Sequence, residues 1–342
     1  MKKKIAVIIR RAAFVCLLVL ILTFTAEVFE RKTLYGEWNY TLKVGGFSNL
    51  PEHSVNVVGV GSSHMYCTLN PVHIYEQTGD SYYVLATQQQ PVEATYYYVK
   101  EALEQQSPDV IIIEGLMYLN YSGAVQEGVA HDAIDPFPDD LNKWKMIGEM
   151  NTEDAKENYY FPFLKYHTRW KELTKADFDF SYKCKTDPLH GFVFLKESKP
   201  NTCTQLSYED AELGILAERN LEYLQKTVEL VREHGSQPMI LLAPYSTAIE
   251  DLAQIKALSV FCCEERIPFL DLNIVYNELG IDNDIDYYDE GHLNVYGAEK
   301  ASRYIANFVD THFELSDKNS KYDEHWQEDI AYYHDKKAKS AE

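Results

Sequence analysis

The chain has 342 residues, 46% of them hydrophobic, with 53 acidic against 32 basic side chains and a formal net charge of -21. That length and apolar content exclude an intrinsically disordered chain and suffice for one large domain or a domain with a sizeable insertion. The acidic balance excludes a nucleic-acid partner held through phosphate neutralisation.

Three lysines follow Met1, Arg10 and Arg11 come next, and a stretch of apolar or small residues then runs from Ala12 to about Phe29. Roughly 18 residues just suffice to cross a hydrocarbon core of about 30 Å as a helix. A cleaved signal peptide shares the basic start and apolar centre, but the small-x-small cleavage pattern is poor here, because Ala26 is followed by Val28 and Phe29. Residues 1–30 are therefore read as a basic cytoplasmic start and an uncleaved single-pass anchor, with everything beyond them outside the cell membrane. Cys16 sits within the apolar run and reads as a membrane-buried thiol.

Strand signals follow as short apolar runs closed by turn residues, at 55–60, 82–86, 110–114, 239–243 and 268–272. They alternate with helix patterns at 93–106, 210–234, 247–265 and 295–311, the order expected of a parallel α/β sheet covered on both faces. More than 100 residues separate the third and fourth strands, far more than a crossover helix needs. Residues of about 116–207 are thus expected to be an insertion, either a cap over the strand ends or a structural excursion. The domain proper is expected over 31–313, and the charged end, 314–342, is expected to be a solvated tail.

Five cysteines follow the anchor, an odd number that makes a poor disulfide framework. Cys184 and Cys203 flank a loop-like stretch with Pro188, Gly191 and Pro200, which a disulfide could staple in an exported protein. The spacings Cys-x-x-Cys and His-x-x-x-His are missing from the sequence, so neither a metal nor a cofactor is expected.

Two segments carry chemistry. In Val57-Val-Gly-Val-Gly-Ser-Ser-His64 an apolar strand ends in Gly-Ser-Ser and runs toward a helix, which would expose Ser63 at the carboxyl edge of the sheet. A turn favours the same residues for conformational reasons alone. In Tyr287-Tyr-Asp-Glu-Gly-His-Leu-Asn-Val-Tyr-Gly-Ala-Glu-Lys300, Asp289 precedes His292 by three positions in a loop that opens a helix. That separation lets the carboxylate fold back onto an imidazole nitrogen, which is what a weak serine nucleophile requires of its base. Taken alone, the segment also reads as an acidic loop with a helix-capping histidine.

Together, Gly61-Ser62-Ser63 and Asp289-Glu290-Gly291-His292 resemble the SGNH/GDSL hydrolase pattern in order, spacing and setting. The run His292-Leu293-Asn294 with Gly297-Ala298 adds to the likeness. The resemblance implies a three-layer α/β/α, flavodoxin-like fold and a catalytic triad of Ser63, His292 and Asp289. Ser62 stands where that family has aspartate, and there is no clear Gly-x-Asn-Asp block. In this the chain resembles the membrane-anchored alginate O-acetyltransferase and teichoic-acid D-alanylation proteins, as do the segments from Ala86 to Pro91, Tyr96 to Tyr98 and His167-Thr-Arg-Trp170. For the oxyanion, the Ser63 amide and a glutamine of the Gln88-Gln89-Gln90 loop are expected, Gln90 ahead of Gln89 because Pro91 restricts the backbone of Gln90. His64, next to the nucleophile at a helix start, is expected to point its ring elsewhere; His131, His167 and His190 are expected to be packing or surface residues, and His53 has no evident partner.

The expected activity is serine-dependent O-acyl transfer to, or ester cleavage on, an envelope or secreted polysaccharide, with an integral-membrane acyltransferase as the partner that the resemblance implies. Trp144 and Trp170, with 26 tyrosines, offer faces for sugar rings. The alternatives are a non-catalytic scaffold of the same fold that binds polysaccharide or a membrane partner, and a general lipase, which would show an apolar cleft.

Overall fold

The structure, a computed structural model, describes residues 2–119, 123–248, 251–318 and 322–339. Parts of the expected insertion (120–122), of the expected helix 247–265 (249–250) and of the expected tail (319–321 and 340–342) lie outside the described residues.

Helix α1 (Lys2–Phe29) is long and apolar enough to cross a membrane and meets the rest of the described chain only through its last turns. After a short helix α2 (Tyr40–Phe47) the chain enters strand β1 (Val57–Gly61), then α3 (Ser63–Tyr66), α4 (Pro71–Thr78), β2 (Tyr82–Ala86), α5 (Val92–Gln106) and β3 (Val110–Glu114). The insertion carries α6 (Glu127–Ile134), α7 (Leu141–Glu149), α8 (Glu157–Tyr160) and α9 (Pro162–Tyr166). The core resumes with α10 (Glu218–Glu233), β4 (Gln237–Leu242), α11 (Leu252–Glu264), β5 (Phe269–Asp271), α12 (Val295–His312) and α13 (Asp323–Lys339).

The five strands are parallel in the order β2-β1-β3-β4-β5, the flavodoxin-like doubly wound arrangement. Strands buried on both faces need apolar residues at nearly every position, and β1 to β3 supply them up to Glu114 at the end of β3. Val58, Val60, Tyr83, Leu85, Ile111, Ile113, Ile240 and Leu242 face one core with α5, α10 and α11. Their neighbours Val57, Tyr82, Val84, Val110, Ile112, Met239 and Leu241 face the other, with α3 and α12. Each fully buried side chain of this kind contributes about 1.5–3 kcal/mol. The three-layer α/β/α fold expected from the sequence is what forms.

The expected insertion is two things rather than one. Residues 123–184 build a cap of short helices and turns, but the return leg, 189–195, threads the core. Val193 donates its amide to the Tyr66 carbonyl (2.9 Å), and Val84 donates to the His190 carbonyl (2.9 Å). Gly191 is required there: its φ is +88°, and a Cβ would lie 1.9 Å from the Val84 carbonyl oxygen.

Three expectations are corrected. The helix expected from 210 begins only at Glu218, because Gly214 packs its backbone against Ala253, to whose carbonyl it donates (2.9 Å). Cys184 and Cys203 are free thiols, Cys184 exposed and Cys203 buried, with the Cys203 thiol directed at Asn201 Oδ1 (3.4 Å). The charged end is not a solvated tail: α13 docks on α4, burying Trp326 and Tyr333. The Trp326 ring is sandwiched between His190 (3.7 Å) and Tyr75 (4.1 Å). Tyr333 accepts from Asn70 (3.0 Å) and donates to Glu299 (2.6 Å).

Candidate active site

The site forms where β1 and β3 end, beside the point at which the strand order reverses, the place where open α/β sheets bind ligands. β1 runs into Gly61, whose backbone passes so close to β3 that a Cβ would lie 2.3 Å from Glu114 Cβ. Ser62 follows as the N-cap of α3, its hydroxyl accepting from the His64 amide (3.3 Å) and donating to Glu114 Oε2 (2.8 Å). That double tether turns the next side chain, Ser63, into the cleft.

The partner loop is built as firmly. Asn294 caps α12 by accepting from the amides of Tyr296 and Gly297, while its amide group donates to the Ile285 carbonyl (2.6 Å). Tyr288 donates to the His292 carbonyl (2.9 Å), closing a turn that ends in a Tyr287–Leu293 bridge. Asn201, six residues past the return leg of the insertion, donates to the Asp289 carbonyl (3.0 Å) and accepts from Ser246 (2.8 Å).

These supports bring the three expected residues together. Ser63 Oγ lies 2.8 Å from His292 Nε2, and His292 Nδ1 lies 2.8 Å and 3.0 Å from the two Asp289 oxygens. Partial burial works against the Asp289 charge, but the Gly291 amide, the His292 ring and the His292 amide outweigh it and hold the carboxyl below its ordinary range. An ionised Asp289 fixes the Nδ1–H tautomer of His292 and leaves Nε2 free to accept the serine proton. The arrangement meets the geometric condition for a base-activated nucleophile.

His64 does not point away from the site as expected: its buried ring, at the start of α3, packs against His292. Its ring centroid is 5.1 Å from that of His292 and edge-on to Tyr245 at 5.3 Å. Burial and then the neighbouring His292 push it down to about 3, so a second positive charge is kept away from the imidazolium that turnover would create. His131 is not a mere surface group. It lines the cleft, with Nδ1 2.9 Å from Asp135, which also accepts from Tyr166 (2.6 Å). His190 is core, His167 is exposed, and His53 lies 3.3 Å from the Gln106 carbonyl.

The glutamine loop departs from expectation. Gln90 is fully buried and occupied, accepting from Thr87 (3.3 Å) and donating to Thr95 (3.2 Å). Gln89, at a φ of +45°, faces a separate cavity with Pro91 and Arg219. Gln88 is the one that lines the cleft beside Ser63. The preference for Gln90 failed because restricting its backbone does not decide which way the side chain turns.

Glu114 escaped the sequence reading altogether. It is buried beneath Ser62, accepting from the Ser62 hydroxyl and from the Leu116 amide (2.5 Å). Burial, only partly offset by those hydrogen bonds, pushes it up to about 7. A lone carboxylate closing the aliphatic run Val110-Ile-Ile-Ile-Glu114 was the available signal.

The cleft has a volume of about 700 Å³, within the range of small-molecule sites. Aromatic residues Trp38, Tyr40, Tyr66, Tyr166 and Tyr288 line it together with Glu127, Asp132, Asp135, Arg31 and Lys165. Trp144 and Trp170 do not: Trp144 stacks on Tyr160 (4.9 Å), and both are exposed elsewhere on the cap. Among the described residues no group of three or more His, Cys, Asp or Glu is placed to hold a metal ion.

No protein-family model matches the chain, and no curated protein matches it. Among solved structures it is similar to a protein from Desulfitobacterium hafniense DCB-2 described as lipolytic and of the G-D-S-L family (10% identity, TM-score 0.38, covering 74% of this chain and 99% of that one). A GDSL-like lipase from Bacteroides thetaiotaomicron (11%, TM-score 0.37, 81% and 99%) is also similar. So is a catalytic mutant of an acetylxylan esterase from Geobacillus stearothermophilus (11%, TM-score 0.37, 78% and 97%). With overlap this loose, the chemistry has to be read from this chain's own side chains.

Proposed function

We propose that the chain is a membrane-anchored, extracytoplasmic serine O-acyltransferase or esterase of the SGNH type, acting on an envelope or secreted polysaccharide. The observation that carries this reading is the continuous path Ser63 Oγ, His292 Nε2, His292 Nδ1, Asp289, with both links at 2.8 Å inside one cleft. As Ser63 Oγ attacks an ester carbonyl, its proton passes to His292 Nε2 and the carbonyl π pair becomes an oxyanion. Collapse of the tetrahedral species expels the alkoxide, which takes the proton from His292 and leaves an acyl-serine. A sugar hydroxyl or water, deprotonated by His292, then attacks the acyl carbon and releases Ser63.

The Ser63 amide and the Gln88 side chain are the proposed oxyanion donors, and losing one such donor typically costs about 3 kcal/mol in the barrier. The polar, aromatic lining supports a carbohydrate over a lipid chain, because Tyr and Trp faces suit sugar C–H surfaces while the acidic groups accept from hydroxyls. The transfer half of the reading, and an integral-membrane acyltransferase as the donor's source, rest on the anchor and on the sequence resemblance.

The test supplies an aryl acetate and a panel of acidic and neutral oligosaccharides to detergent-solubilised full-length protein and follows the products by mass spectrometry. Acetylated oligosaccharide that requires Ser63 supports transfer. Acetate release alone, unchanged by any acceptor, reduces the activity to hydrolysis, and inertness toward every ester contradicts both.

A further inference from the structure

The cap and the membrane helix meet in a way that neither the triad nor the acyl chemistry explains. The last turns of α1 are gripped by residues 161–184. Phe163 packs edge-on against Phe29 (ring centroids 5.4 Å apart) and Phe180 against Phe24 (6.1 Å), while Arg169 donates to the Glu30 carbonyl (2.8 Å) and Lys183 pairs with Glu27. The same segment leaves Phe161, Phe163, Leu164, Trp170 and Phe178 exposed, from 38% for Phe163 to 63% for Trp170. Five large apolar side chains open to water within 18 residues of chain form a patch that a soluble surface rarely carries.

Three further observations say what covers it. First, the patch meets α1 through Phe163, and the apolar window of α1 contains no residue buried in the protein. Second, the heights agree. If Arg10 and Arg11 mark one edge of the hydrocarbon, the run from Ala12 to Phe29 rises about 27 Å, close to the roughly 30 Å core of a bilayer. The far edge then falls at the turns gripped by the collar. Third, the charge is reversed locally. A chain of net charge -21 carries five Lys or Arg against three Asp or Glu over residues 161–184, with Lys171 Nζ lying 5.0 Å from the Trp170 ring. Lysine beside tryptophan and phenylalanine suits a bilayer interface, where the rings enter the acyl boundary and the ammonium groups reach the phosphates.

We propose that residues 161–184 form an interfacial collar seated in the headgroup region of the bilayer crossed by α1, so that the Ser63 cleft opens at the lipid surface and works on substrates held there. The collar and the cleft share walls: Lys165 and Tyr166 of the collar line the cleft, as do Arg31 and Thr33, the second and fourth residues past α1. Two residues of extended chain span at most about 7 Å, so this wall of the cleft lies within a headgroup's depth of the membrane.

The collar rests on the reading of α1 as an anchor, and its effect on catalysis rests on the Ser63 reading, so the tests are kept apart. Full-length protein is reconstituted into phosphatidylglycerol–phosphatidylcholine vesicles, some with acyl chains brominated just below the headgroup, and tryptophan emission is compared with that of W170F. Trp170 is expected to supply a bromolipid-quenched part of the emission that W170F lacks. Equal quenching in the two proteins, with both resisting alkaline extraction, overturns the collar but spares the anchor; extraction of both proteins by alkali overturns both. A photo-crosslinking residue at position 170 is expected to yield lipid adducts in native membranes, and protein adducts alone would assign the patch to a protein partner and overturn the proposal. Finally, Trp170→Glu with Phe178→Glu should cleave a water-soluble aryl acetate at the wild-type rate and a vesicle-embedded ester several-fold more slowly. An equal rate on both contradicts the catalytic consequence, whereas inactive wild type counts against the Ser63 reading and leaves the quenching result to stand.

Discussion

Ser63 and His292 are 229 residues apart in the chain and 2.8 Å apart in the fold, and what holds them there is a shell of side chains that never touch the reacting atoms. Asp289 is the member most open to a graded test. Asp289→Asn keeps a similar shape but loses the charge that selects the tautomer, and it should lower kcat by about 10³–10⁴-fold with little change in KM, read by steady-state hydrolysis of an aryl acetate. Glu114 makes a different prediction. Its carboxyl is pushed up to about 7 from 4.5 by burial beneath Ser62, so the folded state holds a proton that the unfolded chain gives up as pH rises past 4.5. Stability should therefore fall as pH rises through the window from 4.5 to about 7, by about 3 kcal/mol in total, and be flat with respect to this group on either side. Urea midpoints of Glu114→Gln compared with wild type at pH 5 and pH 8 should show the variant gaining at the higher pH; an unchanged difference between the two pH values would show that Glu114 ionises normally.

At the scale of elements, β1 to β3 and α5 were legible to within a residue or two because their residues have a single use. A short run of Val, Ile or Gly, closed by Gly or Glu, reads as a strand buried on both faces. The return leg 189–195 and helix α13 were not legible, since what makes them core lies elsewhere in the chain. Phe192 and Phe194 look like loop residues until Gly191 lets them slide against β2. Trp326 and Tyr333, seven residues apart among charges, show an apolar face only once His190, Tyr75 and Asn70 are in place. The meeting of Ser63, His292 and Asp289 was legible for the opposite reason: the three residues sit in two short blocks, each with its own glycine and capping residue. Which glutamine lines the cleft was not, because the turn at Gln88–Gln89 sends three adjacent side chains in three directions. The docking of α13 has a measurable price: Trp326→Ala should destabilise the domain by about 3–5 kcal/mol, seen as a lower urea midpoint, while Ser63 in the surviving folded fraction stays reactive.

At the scale of the molecule, a cap joins an acidic α/β domain to one apolar helix and also walls the cleft that holds Ser63. This couples location to chemistry without making either the cause of the other. Deleting residues 2–22 removes most of the apolar helix but keeps Phe24 to Glu30, on which the cap packs. The shortened chain should pass into the soluble fraction on alkaline extraction and still present a reactive Ser63; retention in the membrane would mean that α1 is not what holds it there. The account as a whole turns on whether Ser63 is a nucleophile activated by His292. Labelling full-length wild type, Ser63→Ala and His292→Ala with a fluorophosphonate probe decides it most directly: strong labelling of the wild type, none of Ser63→Ala and a rate reduced at least about 10³-fold in His292→Ala are predicted, whereas labelling that is equal or missing in all three would contradict the triad.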